Sequence, residues 1–171
     1  RAALAPTDGG TARDTGVSPN IAASVRARLL NVAKAQSVQF EFVLVRYACE
    51  RFLYRLGASE HRSRCLVKGA TLLTLWMKDP YRATRDVDLL AHGASDEASV
   101  RTMITAICSV PCPEDGLHFD METLEIAPIR GVEEYAGQRA LLWAQLGTAR
   151  IRFQLDIGFG DAVTPGPQDS A

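Results

Sequence analysis

Residues Ala149 to Ile157 alternate without a break, with Ile151, Phe153, Leu155 and Ile157 on one side and Arg152, Gln154 and Asp156 on the other. Successive side chains of a strand point to opposite faces, so a β-strand with one face in a core satisfies both sets at once. Such a strand needs neighbours and a cover, which excludes an all-helical bundle. Leu146-Gly147-Thr148 reads as the turn before it. Arg139–Gln145, compatible by pattern with a helix as well, is expected to be the preceding strand, and Glu122 to Ile129 another.

The front half carries helical spacing instead. Ser18-Pro19 is expected to open a first helix burying Ile21, Val25, Leu29 and Val32. Ser37 is expected to start a second, with Phe40, Val43, Leu44, Tyr47, Ala48, Leu53 and Leu56 inward, Gly57 as its stop, and Arg46, Glu50, Arg51 and Arg55 on the solvated face. Cys65-Leu66-Val67 is a short strand or a lead-in to a helix over roughly Thr71 to Lys78, which Asp79-Pro80 stops. Arg85 to Leu90 reads as a strand. Ser95 is expected to cap a helix with Val100, Met103, Ile104 and Ile107 on its core face. Helices gathered beside strands predict an α+β domain: a mixed sheet with packed helices and an N-terminal helical pair over residues 18–167, flanked by a tail at 1–17 and a short tail at 168–171.

A chain of 171 residues, 47% of them hydrophobic, is enough for one core. The net charge of −1 gives no global basic field for nucleic acid or anionic membrane. No apolar run approaches the ~20 residues that cross a bilayer, and no secretory segment is visible, so a cytoplasmic location and no membrane partner are expected. Cys49, Cys65, Cys108 and Cys112 lack a C-x-x-C spacing and pair with none of His61, His92 and His118 as a zinc set; reduced, buried thiols are expected. From Arg46 to Lys68 there are six basic residues against two acidic ones, a local bias that suits a solvated face or contact with phosphate or RNA.

The acidic pair Asp86 and Asp88 falls on one face of the strand at 85–90, their Cα atoms roughly 6.5–7 Å apart. Two carboxylates that close repel unless a cation or a proton compensates, and hard oxygen donors of this kind suit Mg²⁺. Asp156, polar in an apolar strand, is the candidate third ligand. Gly69 and Ala70 precede a helix whose N–H groups favour phosphate, with the Thr71 hydroxyl in its first turn. Lys68, Arg82 and Arg85 could reach phosphate, or could be solvated or offset the acidic pair. Asp161 is expected in a turn with Gly160, and Trp76 and Trp143 in the core.

Lys68-Gly69-Ala70-Thr71-Leu72-Leu73, then Arg82-x-Thr84-Arg85-Asp86-Val87-Asp88-Leu89-Leu90, resembles the AbiEii/AbiGii toxin family of the DNA polymerase β-like nucleotidyltransferase superfamily, as do Glu50 to Gly57 and Gln154 to Pro165. The resemblance covers about residues 19–167. It implies a minimal nucleotidyltransferase core in which Asp86, Asp88 and Asp156 are the catalytic metal ligands and Gly69 and Ala70 lie near the nucleotide phosphates; with Lys68, Thr71, Arg82 and Arg85, the candidates read from the residues, these two make the expected nucleotide-binding set. It further implies Mg²⁺ as cofactor, a nucleoside triphosphate as substrate, an RNA acceptor (in some members the 3′ end of tRNA) or a protein one, and a cognate antitoxin as partner. Ala70 stands where the superfamily has Gly or Ser. Family members continue into a helical part carrying a Lys and an acidic residue needed for activity, with no counterpart here, so a C-terminally truncated core is expected. Two other readings share some of these residues: an inactive nucleotide-binding or antitoxin-binding module, and a D-x-D glycosyltransferase, which accounts for neither Gly69 nor Asp156.

Overall fold

The computed structural model describes residues 20–69, 86–129 and 137–160. Within them the chain forms helix α1 (Ile21–Gln36), helix α2 (Phe40–Ala58), strand β1 (Cys65–Lys68), strand β2 (Asp86–Ala91), helix α3 (Glu97–Cys108) and strands β3 (Leu117–Pro128), β4 (Gly137–Leu146) and β5 (Ala149–Phe159). The strands make one mixed sheet in the order β1-β2-β5-β4-β3. Only the β2–β5 pair among these is parallel; its crossover runs through α3, β3 and β4. The α+β expectation holds. The expected helix start at Ser18-Pro19, the helix from Thr71 to Lys78, and Ala70, Trp76, Arg82, Arg85 and Asp161 lie outside the described residues.

The alternation in β5 is the spine of the core. Ile151, Phe153, Leu155 and Ile157 are all buried, as are Val87, Leu89 and Ala91 of β2 and Ala140, Leu142, Ala144 and Leu146 of β4. α2 lays Phe52 on this face, its ring 5.3 Å from that of Phe153 and 6.2 Å from that of Phe119. Aromatic rings at these separations and angles are favourable beyond the area they bury. α3 adds Val100, Met103, Ile104 and Ile107, the expected four, to the same core. β4 passes to β5 through the two-residue connection Gly147-Thr148, and Gly147 takes a φ of 59° that L side chains rarely adopt. β3 begins earlier than expected, at Leu117, and its register against β4 slips between Asp120 and Glu125.

Several expectations about the helices are corrected. Asn20, whose side chain accepts a hydrogen bond from the Ala23 amide at 3.0 Å, caps α1, and Ile21 and Val32 are exposed while Val25 and Ala33 are buried. Ser37 does not start α2. It ends α1 in a left-handed turn at φ 53°, and Gln39 precedes α2. Gly57 lies inside α2, which runs on to Ala58. Asp96 rather than Ser95 caps α3, accepting from the Ser99 amide at 3.0 Å.

Arg55 is the largest correction. Read as a solvated residue, it is 3% exposed and its guanidinium meets Asp115, also 3% exposed, at 2.7 and 3.2 Å. It also donates to the Leu117 carbonyl at 3.2 Å, and the Tyr47 hydroxyl donates to the Asp115 carbonyl at 2.8 Å. α2 is thereby tied to the entry of β3. The basic stretch from Arg46 to Lys68 is further broken up, because Arg46 pairs with Glu50 and Arg64 donates to the His92 carbonyl.

Candidate metal and nucleotide site

β2 alternates between half-buried and buried residues, so Val87, Leu89 and Ala91 anchor in the core while Asp86 and Asp88 stand on the opposite face. Parallel pairing with β5 sets Asp88 beside Asp156 and Asp86 beside Gln154. One carboxylate oxygen from each of Asp86, Asp88 and Asp156 lies within 4.8 Å of the others. The sheet thus brings together the three carboxylates singled out in the sequence.

Their charges sit in a longer row. Lys68 of β1 is opposite Asp88, Asp88 is beside Asp156, and Asp156 is opposite Arg139 of β4. Residues in direct cross-strand register share a face, so four adjacent strands present cation, anion, anion, cation in line. Arg139 engages both oxygens of Asp156, Nε to Oδ1 at 2.8 Å and Nη2 to Oδ2 at 2.7 Å. The Gln154 amide lies 3.3 and 3.4 Å from the same two oxygens. Lys68 reaches across β2 towards β5: a Cβ placed on Gly158 would lie 3.0 Å from its Nζ.

The electrostatics follow from this crowding. Burial, then the charges of Asp86 and Asp156, push the Asp88 carboxyl above the usual carboxylate range, and Lys68 partly opposes them. The hydrogen bonds and charge of Asp156 raise Arg139 further, with Asp86 adding to the effect. Gly69 closes the site from β1. It has a φ of 68°, and a Cβ there would run into the Asp88 carboxylate, so the backbone itself occupies the space beside that oxygen. Three hard oxygen donors within reach of one point, with no side chain at Gly69 to displace Asp88, could hold a divalent metal ion.

Lys68 and Gly69, expected in the nucleotide-binding set, adjoin the carboxylates, whereas Ala70, Thr71, Arg82 and Arg85 lie outside the described residues. Arg139 was missed. A signal for it exists: pairing Leu146 with Ala149 across a two-residue turn and counting back along both strands puts Arg139 against Asp156. Trp143 was expected in the core but is half-buried on the outward face, with the Arg150 guanidinium 4.6 Å from its ring centre. It helps line a cavity of about 510 Å³ between the start of α2 and β4–β5, together with Glu41, Phe42, Arg152 and Gln154. Gln154 belongs to this cavity and to the carboxylate site alike.

Comparison with known proteins adds a family. The family model described as nucleotidyl transferase AbiEii toxin, type IV TA system, matches residues 51–171. No curated protein matches the chain. Among solved structures, the crystal structure of JHP933 from Helicobacter pylori is similar at 14% identity and a TM-score of 0.46, the match covering 74% of this chain and 47% of that one.

Proposed function

The chain belongs to the nucleotidyl transferase AbiEii toxin family, and on that premise we propose that it transfers a nucleotide from a nucleoside triphosphate to an acceptor hydroxyl, the α–β phosphoanhydride bond breaking and pyrophosphate leaving, using Mg²⁺ held by Asp86, Asp88 and Asp156. The observation that carries this reading is the convergence of the three carboxylates to within 4.8 Å on one face of β2 and β5. A third, in-register carboxylate is what a D-x-D glycosyltransferase does not call for.

Bound there, Mg²⁺ would supply charge neutralisation at the α-phosphate under attack and lower the pKa of the attacking hydroxyl. The remaining work falls to the chain. Gly69, having no side chain, leaves the Asp88 carboxylate its place in the site. Lys68, exposed at the end of β1, offers a cation to the same phosphates. Gln154 holds the Asp156 carboxylate in orientation, and the cavity that it also lines accepts part of the acceptor. Arg150 and Arg152, exposed at two-residue intervals on the outward face of β5, lead from the hairpin towards Asp156, which suits a phosphodiester chain such as the 3′ end of an RNA, tRNA included. In this reading the chain is the toxin of a cytoplasmic pair whose antitoxin restrains it.

Calorimetric titration of ATP, GTP, CTP and UTP with Mg²⁺ into wild type and the Asp86→Ala/Asp88→Ala variant tests the site. Binding confined to wild type is expected, and equal binding to both would move the nucleotide elsewhere. Incubation with labelled triphosphates and total RNA then reads transfer. Label retained by RNA 3′ ends supports the acceptor named here, and label on protein alone would replace it.

A further inference from the structure

Both oxygens of Asp156 are held by Arg139, in the parallel two-bond geometry in which a guanidinium matches a carboxylate. This pair occupies the place where the third metal ligand must act. The Asp156 side chain is 17% exposed and that of Arg139 45%, so the guanidinium is the partner with room to move. A divalent cation drawn to Asp156 would meet the guanidinium's positive charge on the same two oxygens, and two cations that close repel. Holding both at the same two oxygens is therefore disfavoured.

Released from Asp156, Arg139 still stands beside the carboxylates, on the β4 side of a row whose other end carries Lys68. The planar fork that matched a carboxylate matches a phosphate equally well. We propose that Arg139 is a substrate-binding residue with two partners: it neutralises Asp156 until Mg²⁺ arrives, and then turns to the phosphates of the nucleoside triphosphate. This rests on the nucleotide-transfer reading above and assigns to that site a phosphate ligand from β4. The exchange keeps the charge of the row nearly balanced in both states, since the metal brings positive charge to the carboxylates while the triphosphate brings negative charge to the arginine.

The two roles make opposite predictions for one variant. Mg²⁺ alone, titrated by calorimetry, should bind Arg139→Gln about five-fold more tightly than wild type, the competing cation being gone. The magnesium salts of ATP, GTP, CTP and UTP should bind the same variant several-fold more weakly than wild type, and Arg139→Lys, with the charge but not the fork, should fall between. Unchanged or weakened Mg²⁺ binding by Arg139→Gln overturns the inference, as does unchanged triphosphate binding. Asp88→Asn separates this from the parent reading. If Asp88→Asn loses Mg²⁺ while Arg139→Gln matches wild type for both ligands, only the role of Arg139 fails. If Asp88→Asn binds Mg²⁺ like wild type, or if wild type binds none, the carboxylate site itself fails and the inference with it.

Discussion

Gly69 and Asp88 share one small volume: the space where a side chain at 69 would begin is filled by the Asp88 carboxylate. The contact arises because β1 ends at Lys68, directly opposite Asp88, and the chain then turns with a φ of 68° at Gly69. Gly69→Ala therefore carries two penalties. Alanine at this φ costs about 1 kcal/mol by itself, and its methyl group displaces a carboxylate that the site needs in place. Loss of Mg²⁺ affinity of about 10- to 100-fold is expected, the range seen when a metal ligand loses its support, with the fold retained by circular dichroism. Mg²⁺ affinity equal to wild type in a folded Gly69→Ala protein would mean that Asp88 does not hold the ion.

The Arg55–Asp115 pair predicts stability rather than activity. It is buried at both ends, and Asp115 further accepts from the Leu117 amide at 2.9 Å while Arg51 Nε lies 3.3 Å from it. Removing one partner strands the other charge in a core beside Phe119, whose ring centre is 5.3 Å from the Arg55 guanidinium. Asp115→Ala should cost about 3–5 kcal/mol in urea denaturation. The double variant Arg55→Met/Asp115→Ala should lose less than the sum of the single variants, because the stranded charge is gone. Strict additivity would show that the two residues do not act as a pair.

What could be read ahead of the structure divides along the same line. β5 and the core face of α3 were legible because a strand or helix period is a local signal, and every residue expected inward in them is inward. Asp86, Asp88 and Asp156 were legible as polar positions on strands. Arg55 was not, because its partner lies sixty positions along the chain and a helix wheel cannot show an ion pair folded into the core. Arg139 was hidden by a narrower margin. Counting Leu146 as part of the turn, rather than as the partner of Ala149, removes the register that sets Arg139 against Asp156. The end of α1 escaped for another reason: Ser37 adopts a left-handed conformation that its own identity does not announce.

Asp88 gives the site a measurable cost. Its carboxyl is raised by burial and by Asp86 and Asp156, so the ionised form is disfavoured in the folded chain relative to the unfolded one. The sign then runs opposite to ordinary acid denaturation. As the pH falls through the raised folded value, the native state takes up a proton before the unfolded state does, and stability at this residue rises. Above that value the repulsion is fully present. Asp88→Asn, which removes the charge and keeps the shape, should therefore be more stable than wild type at pH 7 without divalent ions, by a few tenths to about 1 kcal/mol given the partial exposure of the site. The gap should close as the pH is lowered through the carboxylate range, where wild type loses the same charge by protonation. Millimolar Mg²⁺ should raise the melting temperature of wild type and leave that of Asp88→Asn nearly unmoved. Urea denaturation across pH 4 to 8 measures the first two, and thermal unfolding with and without Mg²⁺ the third. A variant less stable than wild type at pH 7 would mean that the attraction to the Lys68 charge outweighs the crowding, and that Asp88 is a structural residue rather than one held under strain for a cation.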